Sequence, residues 1–399
     1  MALCPIKTDR MMQFEFATAR KIIFGRNSLS KVAPLAAGLG DRALLITGRK
    51  NDRAGKICEE LQHQGMEATM YAVCGEPTAP TVMDALRVAR ERNCDLVIAL
   101  GGGSVIDTGK AVAALLTNEG ELFDYLEIIG RAQNFKNPPL PCIAVPTTAG
   151  TGTEVTANAV LKFPEQGRKV SLRGSFMIPS YAVVDPELTR TMAPALTAAT
   201  GMDALTQLIE AFISRRANPL TDALCREGLA LAARSLARVY VDGNDSDARE
   251  DMSLAALLSG MALAGAGLGA VHGLAAIIGG MFDIPHGVVC ARLLYPVTEA
   301  NFRILRQEEN ESLLMIKGND LSRILTGKPH AELPDGLAWL RDLSASFNFP
   351  FLHDFGLQEK DFRTIAVKAG KSSSIRSNPV KFSEEDLVRI LEMERSQDK

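Results

Sequence analysis

No charge of one sign dominates this sequence. Its 44 Lys and Arg stand against 47 Asp and Glu, a net charge of -3 over 399 residues, which gives no electrostatic case for nucleic acid or an anionic membrane as partner. Paired cysteine motifs are missing as well. Cys4, Cys58, Cys74, Cys94, Cys142, Cys225 and Cys290 are odd in number and show no C-x-x-C spacing, the pattern of free thiols in a reducing compartment. The first twelve residues mix charges with few apolar side chains and contain no signal-peptide run, so cytoplasmic residence is expected. Internal repeats and low-complexity segments are also absent. One uncharged run, residues 254–282, is long enough to cross a bilayer. His272 and the glycines at 265, 267, 269, 273, 279 and 280 interrupt it and no basic cluster flanks it, so it reads as buried helices of a large domain.

What is present describes an enzyme-sized core. With 46% hydrophobic and 23% charged residues, the chain can bury two domains. In the first half, β-branched or aliphatic runs at residues 43–47, 96–100, 142–145 and 182–184 alternate with helical patterns at 82–91 and 105–116. That alternation predicts an α/β domain with a parallel sheet covered by helices on both faces. From Pro194 the strand signals stop and helical patterns rich in Ala and Leu run through Leu391. The break around Asp185 to Pro194 predicts an α/β domain at 1–190 and an all-helical domain at 191–399.

Two loops and three polar residues carry the chemistry. G-G-G-S-V-I-D-T-G-K, residues 101–110, follows a strand directly; glycines there let backbone approach a pyrophosphate, and the next helix offers unpaired N–H groups. It matches neither G-x-G-x-x-G nor a Walker motif. A second polar loop, P-T-T-A-G-T-G-T-E-V-T at 146–156, also follows a strand, and two such loops form the crevice where open α/β sheets bind ligands. In the helical half, G-M-D-A-L-T-Q (201–207), V-H-G (271–273) and P-H-G (285–287) supply Asp203, His272 and His286. Three such donors suit a divalent ion and leave a coordination position open, so the site would be catalytic.

The ordered motifs GGGSxxDxxK, PTTAGTxxE, GxDALT and HG…PHG resemble those of the iron-dependent alcohol dehydrogenase family, and the match runs from Phe14 to the S-N-P-V segment at 377–380. The resemblance implies a Rossmann-like nucleotide-binding domain followed by an all-α metal domain, the fold shared with the dehydroquinate synthases. It also implies hydride transfer between NAD or NADP and an alcohol or aldehyde in the cleft between the domains. Carried onto this sequence, Gly102, Gly103 and Ser104 would hold the pyrophosphate, and Asp107 and Lys110 fall on motif positions. Thr147, Thr148 and Thr151 would line the nicotinamide side, with Asn158 and Lys169 reaching the cofactor. Asp203, His272 and His286 would bind Fe(II) or Zn(II), and a homodimer or larger assembly is expected.

Three departures from that pattern are specific to this chain. The family's usual histidine four residues after the aspartate is Gln207 here; its amide oxygen would be a weaker metal donor than imidazole. A further histidine often found four residues beyond His272 is Ala276, so a proton would leave to solvent or through a cofactor ribose hydroxyl. After the strand at 43–47, where many NAD-using relatives carry an aspartate at the ribose, this chain has Gly48, Arg49 and Lys50, which should make NADP(H) acceptable. Arg173, Lys371 and Arg376 are weak candidates for contacts to an acidic substrate, and the polar segment 371–379 for a loop bordering the site. The expectation is an NAD(P)-dependent alcohol dehydrogenase or aldehyde reductase. Its alternatives are a metal-independent oxo-acid reductase, a lyase or cyclase on the same scaffold, and a nucleotide-binding protein without turnover.

Overall fold

The computed structural model describes residues 13–49, 52–307 and 313–397. Among these, the first half contains β1 (Lys21–Phe24), α1 (Val32–Ala36), β2 (Arg42–Gly48), α2 (Asp52–His63), β3 (Glu67–Val73) and α3 (Ala79–Glu91). It continues through β4 (Leu96–Gly101), α4 (Gly103–Thr117), α5 (Leu122–Tyr125), β5 (Cys142–Pro146), β6 (Asn158–Phe163), β7 (Arg168–Arg173) and β8 (Tyr181–Val184). Six of these strands form one sheet in the order β1-β8-β5-β4-β2-β3, with every pairing parallel. The remaining two, β6 and β7, pair antiparallel, with Asn158 opposite Arg173.

The central strands explain why the sequence reads as continuous apolar runs. Alternate side chains point to opposite faces. Leu44, Ile46, Val97 and Ala99 enter one core, while Ala43, Leu45, Leu96, Ile98 and Leu100 enter the other. Strands covered on both sides need no polar face. Four strands escape the sequence pattern. At the sheet edges, β1 and β3 are partly exposed along much of their length, and the β6–β7 pair alternates buried with half-buried or exposed residues.

The second half is helical: α6 (Pro194–Ile213), α7 (Pro219–Val241), α8 (Ser246–Ala266), α9 (Ala270–Met281) and α10 (His286–Gln307) surround one large core. The helices α11 (Leu313–Thr326), α12 (Leu333–Ser346), α13 (Glu359–Ala369) and α14 (Glu384–Ser396) complete it. The uncharged run becomes α8 and α9, bent by 102° at the break between them, and no single helix among the described residues is long and apolar enough to cross a membrane. Gly267 takes φ +73° at that corner, a left-handed conformation that favours glycine.

The loop after β5 joins the halves. Gly152 lies so close to Gly260 of α8 that a Cβ at Gly260 would stand 2.2 Å from the Gly152 carbonyl oxygen. Behind that contact Lys110, wholly buried, donates to the Thr153 carbonyl at 2.9 Å and to the Thr156 hydroxyl at 3.1 Å. The neighbouring Asp107 accepts from the Thr153 hydroxyl at 2.5 Å and from the Val160 amide at 2.9 Å. Asp107 therefore braces the loop and β6, each of its oxygens engaged by a donor from one of them.

Burial raises the carboxyl of Glu154, in the same loop, from 4.5 to about 7, against the opposing pull of a backbone hydrogen bond and of Lys110. Between those values the unfolded chain has released a proton that the folded chain keeps, so this group lowers stability as pH rises through that window. Glu154→Gln should therefore gain on the parent by on the order of 3 kcal/mol between pH 4.5 and pH 7. Denaturant melts of both proteins across that range check it; parallel stability profiles would mean that Glu154 ionises as in water.

Candidate active site and metal centre

Helix α6 is buried nearly all round, so each polar side chain on it must find a partner. Asp203 and Glu210 stand seven residues apart, two turns along one face, and the imidazole of His272 fills the space between them. Its Nδ1 lies 2.7 Å from Glu210 Oε2 and its Nε2 lies 3.2 Å from Asp203 Oδ1. The Val271 amide donates to the other Glu210 oxygen at 2.6 Å, which ties the start of α9 to α6. Burial opposes a charge on His272, but the two carboxylates outweigh it and push its pKa up to about 10. Burial would likewise raise Asp203; the hydrogen bond from His272, the two histidine charges and the Gln207 amide hold it below the usual carboxylate range.

His286 is the first residue of α10, and its Nε2 stands 3.6 Å from Asp203 Oδ1. Burial lowers it to about 4, so at neutral pH its ring is uncharged with a lone pair available to a ligand. Gly287 makes this approach possible. A Cβ there would fall 2.1 Å from the Ala199 carbonyl oxygen of α6, so only glycine lets the two helices meet one turn before Asp203.

Asp203, His272 and His286 converge, joined by Cys290, and the four donor atoms lie within 4.8 Å of one another. An anionic oxygen and two imidazole nitrogens fit a divalent ion. Glu210 meets the Nδ1 of His272 and would leave Nε2 as the ligating atom. Gln207 lies on the same helix, where its Oε1 accepts from the Ser259 hydroxyl of α8 at 2.7 Å and its amide acts on Asp203. Sequence reasoning missed Glu210, Cys290 and Ser259. Helical spacing held a signal for the first two, seven residues after Asp203 and four after His286.

The nucleotide-side residues meet at the sheet's C-terminal edge. A Cβ at Gly102 would contact the Thr148 side chain at 3.3 Å, and one at Gly103 would meet Thr151 at 3.1 Å. No side chain caps α4, whose N-cap is Gly102, so its first-turn amides, with Ser104 among them, can take an anion. Thr147 donates its amide to the Gly101 carbonyl at 3.0 Å, locking one loop to the other. Gly48 ends β2, with nothing within 4 Å of where its Cβ would be, and exposed Arg49 donates to Cys74 Sγ at 3.1 Å. Lys50 falls outside the described residues.

Lys169 connects the two regions. Its ammonium is held by Glu76, lies 3.3 Å from where a Cβ on Gly279 of α9 would be, and adds to the depression of His286. Lys162 bridges Glu76 at 3.3 Å and Asp283 at 3.0 Å beside it. Asn158 opens β6 half-buried. Arg173 instead pairs with Glu127 at 3.2 Å, and Lys371 and Arg376 are exposed. Their segment does border α9: Asn378 Oδ1 accepts from the Ala270 amide at 3.1 Å, and Ser372 packs against Gly273.

This site and fold have relatives. The family model for iron-containing alcohol dehydrogenase matches residues 19–186, and that for the C-terminal part of the Fe-containing alcohol dehydrogenase family matches residues 197–394. The chain belongs to the iron-containing alcohol dehydrogenase family. The dehydrogenase is 36% identical over 385 residues to the 1,3-propanediol dehydrogenase of Klebsiella pneumoniae, covering 94% of this chain and 97% of that one. It is 35% identical to alcohol dehydrogenase 4 of Saccharomyces cerevisiae strain YJM789, covering 92% and 95%. Among solved structures, a 1,3-propanediol oxidoreductase superposes with TM-score 0.88 at 35% identity, covering 96% of this chain and 100% of that one. The sulfoacetaldehyde reductase of Bifidobacterium kashiwanohense, solved with NAD+, superposes with TM-score 0.85 at 26% identity, covering 97% and 100%. The dehydrogenase is an oxidoreductase that uses NAD(H) and a metal to interconvert an alcohol and its carbonyl compound; the oxo-acid reductase and lyase readings find no support in these relatives.

Gly287→Ala tests the geometry without touching a ligand. Moving the start of α10 away from Ala199 displaces His286, and zinc affinity should fall roughly 10–100-fold with NADH affinity unchanged. Chelator competition and NADH fluorescence measure the two; undiminished zinc binding would show that α10 absorbs the methyl group elsewhere.

Proposed function

We propose that this protein reduces a small aldehyde or ketone, and oxidises the corresponding primary or secondary alcohol, in the crevice between the sheet edge and helices α9 and α10. Support comes above all from one juxtaposition: Lys169, on the nucleotide side, stands with its ammonium 3.3 Å from where a Cβ on Gly279 of α9, the helix that carries His272, would be. In this reading a substrate oxygen at the donors would face a nicotinamide seated against Thr147, Thr148 and Thr151. Asp203, His272 and His286 hold the divalent ion, which when bound supplies Lewis acidity to the substrate oxygen.

The chain's own groups do the rest. The first-turn amides of α4, with Gly102, Gly103 and Ser104, bind the cofactor pyrophosphate. Lys169, set by Glu76, and Asn158 orient its nicotinamide end. Ala276 provides no proton donor one turn beyond His272, so the proton exchanges with solvent or through a ribose hydroxyl. Gly48 leaves space, and Arg49 positive charge, for a 2′-phosphate, so NADP(H) is accepted along with NAD(H). The two domains, 1–190 and 191–399, work in a cytoplasmic homodimer or larger assembly.

Two experiments test this reading. His286→Ala should abolish metal retention and nearly all aldehyde reduction while leaving NADH affinity within about twofold; a metal-free variant with parental turnover would contradict it. Gly48→Asp should weaken NADPH by about 1–3 kcal/mol relative to NADH, through charge repulsion at the ribose. Titrating each nucleotide by fluorescence reads the ratio, and an unchanged preference would place the ribose away from β2.

A further inference from the structure

We infer that Cys290 supplies a fourth metal ligand in place of the residue at 207, making an Asp-His-His-Cys site that holds zinc in preference to iron. The inference rests on the metal reading proposed above. Cys290 lies four residues after His286 on α10, so both side chains share one face, and it is fully buried. Its Sγ is 3.6 Å from His286 Nε2 and 3.8 Å from Asp203 Oδ1. Asp203 Oδ1 in turn is 3.2 Å from His272 Nε2 and 3.6 Å from His286 Nε2. Bonds of about 2.0–2.3 Å to a tetrahedral ion set donors about 3.3–3.8 Å apart. Four of the six donor separations are therefore close to size before any ion enters, and a substrate oxygen would add as a fifth ligand.

Gln207 leaves that corner to sulfur. With its oxygen on Ser259 and its amide toward Asp203, turning the amide over would aim an oxygen at a carboxylate. The orientation is therefore set by charge. Gln207 acts as a positioning residue for Asp203, and the thiol stands where a donor is needed. Thiolate sulfur is a soft donor, which widens the margin that zinc already holds over Fe(II).

Cobalt(II) substitution of the full-length protein tests the ligand directly. Cobalt-loaded wild type should show a near-ultraviolet thiolate-to-cobalt charge-transfer band together with visible d–d bands; Cys290→Ser should keep the d–d bands and lose the charge-transfer band. Visible bands without charge transfer in wild type would overturn the role of Cys290 and leave the three-ligand site standing. Failure to take up cobalt or zinc at all would overturn both. Should Cys290→Ser not fold, X-ray absorption at the zinc edge of wild type decides alone: one sulfur at about 2.3 Å supports the inference, and nitrogen and oxygen neighbours only, at about 2.0–2.2 Å, overturn it. The ratio of zinc to Fe(II) affinity should also fall roughly tenfold or more in Cys290→Ser, and an unchanged ratio would refute the claimed preference.

Discussion

The imidazole of His272 is suspended between two carboxylates of one helix, and much of the helical half is arranged to keep it there. Asp203 and Glu210 lie on the buried face of α6, where an unpaired charge would cost several kcal/mol. His272 gives each a hydrogen-bond partner, at 3.2 and 2.7 Å. The same contacts fix the entry of α9 through the Val271 amide. Asn378, which accepts from Ala270, carries the constraint to the segment bordering the site. Removing Glu210 would free the ring and the start of α9 together, so the metal site and the local fold share one set of interactions.

Close backbone approach is the second constraint. Gly287 against Ala199 brings α10 onto α6, and Gly260 against Gly152 brings α8 onto the loop that follows β5. Gly280 against Gly167 adds a third contact, beneath the strand that carries Lys169. Each excludes even a methyl group. The last two set the helical domain, with its cluster of donors, against the α/β domain.

The parts of this architecture that follow one repeating rule were legible in the sequence. Central strands buried on two faces announce themselves as apolar runs, and the Gly-rich loop, the Thr-rich loop and the three donors sit in compact motifs. What escaped depends on pairs distant in the chain. The edge strands β1 and β3 have mixed exposure, and nothing local marks them as strands. Asp107 occupies a motif position, yet its oxygens are taken by Thr153 and Val160, partners that only folding brings near. For Gln207 the decisive neighbour is Ser259, 52 residues away. Cys290 looked like one more scattered thiol; only the crossing of α10 and α6 puts it beside Asp203.

Central to this account is that Asp203, His272 and His286 hold a catalytic ion facing the nucleotide crevice. Anomalous diffraction from crystals of the zinc-loaded protein with bound NAD(H) addresses it most directly. The account predicts a single strong peak about 2.0–2.2 Å from Asp203 Oδ1 and from the Nε2 atoms of His272 and His286, with the nicotinamide ring on the side of Lys169. A peak elsewhere, or none at these three atoms with cofactor seated, would contradict it.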